Sequence, residues 1–241
     1  MSTWDRKRPA WLPATIRTLR AHAPGPWAGW NWVIVQAHAS REVWPRIGRD
    51  DVDTATLQQQ QTLHLKQRIT LMVNQYEVLA SDASGKPDHM VAFAQQKRMA
   101  LKEQVTLYAD SSKSQVVAGF KARQVIDLGA TYDVVDSSGS VIGNFRKDFA
   151  KSLLQSTWHL EQPSVGVITG RERSLAVALL RRFVLGFLPY HFDFVRNGAV
   201  AFTVDKKFAL RDRYVITIKD AELDRRLVIA MAVALDALQA R

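Results

Sequence analysis

From Leu63 onward the chain alternates. Leu63, Leu65, Gln67, Ile69 and Leu71 interleave with His64, Lys66, Arg68 and Thr70. A period of two residues predicts a β-strand with one face buried. Similar short runs follow at Tyr76–Ala80, Met90–Ala94, Val105–Ala109, Val116–Ala122, Tyr132–Val135 and Val141–Phe145. Further runs are Thr157–Leu160, Val165–Ile168, Phe192–Val195, Ala199–Val204 and Tyr214–Ile218. Turn signals separate them: Asp82-Ala-Ser-Gly85, Asp110 to Ser114, Asp136-Ser-Ser-Gly139 and Asn197-Gly198. Asn-Gly is a strong hairpin signal because both residues tolerate positive φ. About twelve short strands at hairpin spacing predict an antiparallel sandwich or barrel.

A weak repeat runs through this pattern. Tyr76-x-Val78 precedes Asp82-x-x-Gly85 and Phe93, and Tyr132-x-Val134 precedes Asp136-x-x-Gly139 and Phe145. Two copies are too few for a solenoid, so they read as repeated hairpin chemistry.

Two segments change period. Thr169-x-x-Glu172 fits a capping box and predicts a short peripheral helix from about Arg171 to Val184, ended by Gly186 and Pro189. Near the C-terminus, Leu227 to Leu235 are nine consecutive apolar residues, with Asp220 as the expected N-cap. Such a run is apolar all round, so the helix must be buried on every side. It is too short to cross a bilayer. Only the sheet is able to surround it, which predicts a closed barrel threaded by its last helix. Asp236 follows the run and reads as an exposed last-turn carboxylate.

Before residue 62 neither period persists. Six of the seven Trp lie there with Pro9, Pro13, Pro24, Pro26 and Pro45, and Gln58 to Gln61 form a polar tract. Residues 1–61 therefore read as an irregular N-terminal extension, and 62–241 as the barrel domain. Trp and Arg also suit a membrane interface, but an unstructured segment is the favoured reading.

The order of several motifs resembles a known family. These are Tyr132-Asp-Val-Val-Asp-Ser-Ser-Gly139, Ile142-Gly-Asn-Phe-Arg-Lys147, Ser156-Thr-Trp158, Arg213-Tyr-Val-Ile216 and the closing Leu227–Asp236 run. Together they resemble the LURP-one-related branch of the tubby C-terminal-like superfamily, which also holds phospholipid scramblases. The resemblance covers about three quarters of the chain and implies a twelve-stranded barrel around a central C-terminal helix. Tubby-like domains bind phosphoinositides through a basic cluster near an early strand. By position, that cluster falls here at Lys97, Arg98 and Lys102, without the dense basic run typical of tubby domains.

Charge bears on the ligand. Lys and Arg number 33 against 23 Asp and Glu, a formal charge of +10, which favours anionic partners. Candidate contacts, besides the three above, are Lys121 and Arg123 on one strand face, Arg146-Lys147, and Lys206-Lys207, with Arg211 and Arg213 nearby. The absence of Cys excludes disulfides, thiolate metal sites and palmitoyl anchoring. His159-x-Glu161 and His191-x-Asp193 are each too few for zinc. No nucleophile elbow or phosphate loop is present, and no nucleic-acid recognition motif accompanies the charge. The expectation is a non-enzymatic module without cofactor or metal. It would be cytoplasmic or peripheral at the membrane, without a transmembrane segment. Its expected partner is anionic phospholipid, with a protein-interaction adaptor as the alternative and nucleic acid disfavoured.

Overall fold

The computed structural model describes residues 51–68, 70, 73–97, 104–123, 131–148, 156–174, 190–207 and 213–239. Helix α1 spans Asp51–Gln58. Twelve strands follow: β1 Thr62–Arg68, β2 Gln75–Ser81, β3 Pro87–Lys97, β4 Gln104–Tyr108, β5 Val116–Ala122 and β6 Thr131–Asp136. The rest are β7 Val141–Lys147, β8 Thr157–Gln162, β9 Gly166–Glu172, β10 His191–Arg196, β11 Ala199–Lys207 and β12 Arg213–Ile218. Helix α2, Arg225–Gln239, comes last. Each strand pairs antiparallel with its chain neighbours, and β1 pairs with β12 to close the barrel. Closure removes the exposed edges that an open sheet must protect.

The alternation sets the interior. Leu63, Leu65, Tyr76, Val78, Ala92, Ala94, Phe120, Val134, Phe145, Trp158, Ile168, Phe192, Phe202 and Ile216 all join one buried cluster. The cluster is completed by α2, in which every residue from Leu227 to Leu235 is fully buried. The apolar run is thus wrapped by the sheet on all sides. Each of its large side chains contributes about 1.5–3 kcal/mol through burial. Leu238, one turn further, is only partly buried. Gly143 on β7 marks the closeness of this packing: a Cβ there would stand 2.7 Å from Leu227 Cδ2 and 2.5 Å from the Glu161 carbonyl oxygen.

The two Asp-containing hairpins of the repeat share one turn. Asp82 Oδ1 accepts from the backbone N–H groups of Ser84 and Lys86 and from the Ser84 hydroxyl. Asp136 Oδ1 accepts in the same way from Ser138 and Ser140. Gly85 and Gly139 have φ of 77° and 85°, where a side chain would be strained.

Three expectations require correction. Thr169 and Glu172 do not cap a helix: both lie in β9, paired with His159 and Phe192. Ile168, Gly170 and Glu172 face inward while Thr169 and Arg171 face outward, so the strand period overrides the local signature. The rest of that expected helix, residues 175–184, lies outside the described residues. Asp220 is not the cap of α2. Asp224 is, with Oδ1 accepting from Arg226 N at 2.9 Å and its carbonyl from Val228 N at 3.1 Å. Asp220 instead holds the preceding turn through Glu222 N. Finally, α1 lies inside the segment expected to be irregular. Leu57 is buried in the core, Gln58 Oε1 accepts from Arg225 N, and Gln60 O accepts from Arg225 Nε. Residues 57–60 thus serve the barrel and the start of α2.

Candidate functional site

An antiparallel barrel has two unlike rims. At the lower rim lie the turns 82–86, 109–115, 137–140, 163–165 and 197–198 and the N-terminus of α2. At the upper rim β1, β3, β5, β7, β9 and β11 end and the even-numbered strands begin. The last turns of α2 reach this rim, because Asp236 meets Tyr76 near the start of β2 and Tyr214 near the start of β12.

Every described candidate cation stands at the upper rim. Lys97 ends β3, Lys121 and Arg123 end β5, Arg146 and Lys147 end β7, and Lys206 and Lys207 end β11. Arg98 and Lys102 lie outside the described residues. Strand parity divides the seven. Lys147 and Lys206 point inward with Phe145 and Val204, and the others point outward.

The inward lysines lie against aromatic rings. Lys147 Nζ is 5.8 Å from the ring centre of Trp158, its direct cross-strand partner. Lys206 Nζ is 5.3 Å from Tyr190 and 5.6 Å from Tyr214. Such cation–π contacts are worth on the order of 0.5–2 kcal/mol. Below Lys206 a hydroxyl chain runs to the helix: Tyr190 donates to Tyr214 at 3.0 Å, and Tyr214 and Tyr76 donate to the Asp236 carboxylate, Tyr76 at 2.7 Å. Asp236 is thus a partly buried anchor between helix and barrel, not the exposed carboxylate expected. Burial above all, then Tyr190 and Asp236, push the Tyr214 hydroxyl far above its ordinary pKa. It stays protonated and donates.

Outward cations differ in their partners. Arg123 is clamped by Asp133 through two bonds of 2.7 and 2.6 Å. Arg173, after β9, reaches Asp193 at 2.5 Å and Asp205 at 3.2 Å. Lys97, Arg146, Arg171, Lys207 and Arg213 are exposed and have no carboxylate in ion-pair range among the described residues. Lys66 and Arg68, at the end of β1, share Glu77 at 3.1 and 3.4 Å. These two and Arg171 were not among the residues singled out from the sequence. The alternation of β1 holds the signal, since it puts His64, Lys66 and Arg68 on one outward face. Among the described residues cations outnumber carboxylates at this rim, while Asp82, Asp110, Asp136, Asp220, Glu222 and Asp224 nearly balance the bases of the lower rim.

The two histidines weighed for zinc, His159 and His191, are tied to carboxylates. His159 meets Asp148 at 3.1 Å and Thr169 at 3.4 Å, and His191 meets Asp205 at 2.9 Å. Among the described residues no group of three or more His, Asp or Glu is arranged to hold a metal. No described helix is long and apolar enough to cross a membrane.

The model of the LURP-one-related family fits residues 90–236, from within β3 to the end of the buried apolar run of α2. A search of curated proteins found no match.

Proposed function

From the premise that the chain belongs to the LURP-one-related family, we propose that it is a non-enzymatic binding module whose upper rim docks on anionic membrane lipid headgroups. The observation that carries this reading is the concentration of outward cations at one end of a rigid barrel. Converging cations add: near an anionic leaflet each Lys or Arg is worth about 1 kcal/mol. Lys97, Arg146, Arg171, Lys207 and Arg213, which hold no carboxylate among the described residues, are the first contacts. The clamped Arg123 and the ring-bound Lys147 and Lys206 contribute field more than contact. Phosphoinositide headgroups, with several phosphates, are the members of this class such a rim favours most.

The test is co-sedimentation of the full chain with neutral and anionic vesicles at low and high salt. Binding restricted to anionic vesicles and weakened by salt is the expected result, because exposed charges are screened within about 10 Å at 0.1 M salt. Absence of binding at low salt removes the lipid reading and leaves the protein-interaction adaptor in its place.

A further inference from the structure

Several cations on this barrel are paired with carboxylates. Arg123 faces Asp133, Arg173 faces Asp193 and Asp205, and Arg196 faces Asp220 and Glu222. One row instead sets cation directly beside cation. Lys207 on β11 is the direct register partner of Arg213 on β12, and Arg213 is the direct partner of Lys66 on β1. All three side chains lie on the outer face, by the parity that buries Tyr214 and Leu65. Side chains directly opposed on one face have Cβ atoms about 4.5–5.5 Å apart, and like charges so placed are destabilising. Arg68 adds a fourth cation two residues along β1. Among the described residues one carboxylate, Glu77, lies in ion-pair range of the row, 3.1 Å from Lys66 and 3.4 Å from Arg68.

The row also straddles the seam where the barrel closes, β12 on β1. A repulsive row at the closing pair opposes folding, and one acidic residue at position 207 or 213 would relieve it. Sites that break a local rule without a compensating contact in the fold are where function is expected. An anion lying across the three strands supplies that contact. Its oxygens must meet an Arg fork flanked by two Lys ammonium groups. A phosphate, with several charged oxygens and a fit to the guanidinium fork, suits this better than a lone carboxylate.

We infer that Lys207, Arg213 and Lys66 form a dedicated site for a phosphate-bearing anion, either the phosphorylated headgroup of a membrane lipid or free diphosphate. The inference deepens the proposed function and rests on its premise that the upper rim receives anions.

The test uses the full chain, the double variant Lys207→Gln/Arg213→Gln, and the control Arg146→Gln/Arg171→Gln. The control removes the same charge from the same rim but leaves the row intact. The probes are phosphatidylcholine vesicles containing phosphatidylinositol bisphosphate, vesicles of phosphatidylcholine alone, and pyrophosphate followed by calorimetry. The control is expected to lose about thirtyfold in affinity for the phosphorylated vesicles, as the removal of any two contact cations from this rim would, and the row variant distinctly more. Pyrophosphate binding is lost in the row variant alone. Its Tm at low salt rises above that of the wild type, which a merely structural role would not produce.

Equal losses in the two variants, or a row variant of lower Tm, overturn the site while leaving the membrane reading intact. If the wild type ignores all vesicles but binds pyrophosphate through the row, the membrane reading falls and the site stands for free phosphate. If the wild type binds neither probe, both are overturned.

Discussion

Tyr214 shows how much one residue at the upper rim carries. Its ring lies under the Lys206 ammonium, its hydroxyl accepts from Tyr190, and it donates to Asp236. Because burial and these neighbours raise its pKa in the folded protein, the sign of the linkage is fixed. The unfolded chain ionises first, near pH 10. Stability is therefore full below that pH and falls as pH rises above it. Tyr214→Phe is expected to cost about 1 kcal/mol at neutral pH and to make the alkaline decline shallower. Denaturant unfolding at a series of pH values from neutral to alkaline checks both, and an unchanged alkaline slope would show that Tyr214 does not report the network. None of this was legible in the sequence. Asp236 lies 160 residues from Tyr76 and 22 from Tyr214, and a carboxylate ending an apolar run looks the same whether solvent or hydroxyls await it.

At the scale of elements, strands were legible and ends were not. Each of the twelve strands shows as an alternating run or a turn-bounded apolar run, because burial of one face imposes a period of two on the residues themselves. Helix signals of three or four residues are weaker. Thr169 and Glu172 match a capping box, yet the pairing of β9 with β8 and β10 satisfies the same backbone groups. At α2 two Asp residues compete, and Asp224 wins because it directly precedes the first helical turn. Burial acts to raise its carboxyl, but the Arg226 guanidinium and the Gln58 amide hold it below the ordinary value. Gln58 belongs to α1, in a tract whose polar composition gave no hint of a role. A chain beginning at Thr62 loses this amide, the Gln60 carbonyl and the burial of Leu57. It is expected to be less stable than one beginning at Asp51 by about 2–4 kcal/mol. Thermal unfolding of the two checks this, and equal Tm values would mean that α1 adds nothing to the barrel.

At the scale of the whole molecule, the buried helix and the charge asymmetry are separate consequences of one topology. Antiparallel pairing sends alternate connections to opposite rims, so charges far apart in sequence gather at one end. The sequence shows the net charge and the basic pairs. Which pairs share a rim follows only from strand order and register, which also turn Lys147 and Lys206 inward. The helix was predictable because a nine-residue apolar run has no alternative to burial. Val233 lies at its centre with no exposed surface. Val233→Asp would bury a carboxylate with no partner provided, a penalty of several kcal/mol against a net stability of about 5–15 kcal/mol. The variant is expected to lose its cooperative thermal transition. Retention of a wild-type-like melt would contradict the wrapped-helix architecture.

The order in which these parts leave the ribosome follows from the same topology. Eleven of the twelve strand pairings join chain neighbours, so they form hairpin by hairpin as the polypeptide emerges. The twelfth, β12 on β1, and the helix that fills the interior come from the stretch of the barrel that is made last. Until that stretch is released, the nascent sheet has two open edges and a hollow, apolar inner face. Synthesis at about 5–20 residues per second keeps such an intermediate exposed for seconds. A chain that stalls before Arg213 is therefore committed to chaperones or to aggregation, however well its earlier hairpins have formed.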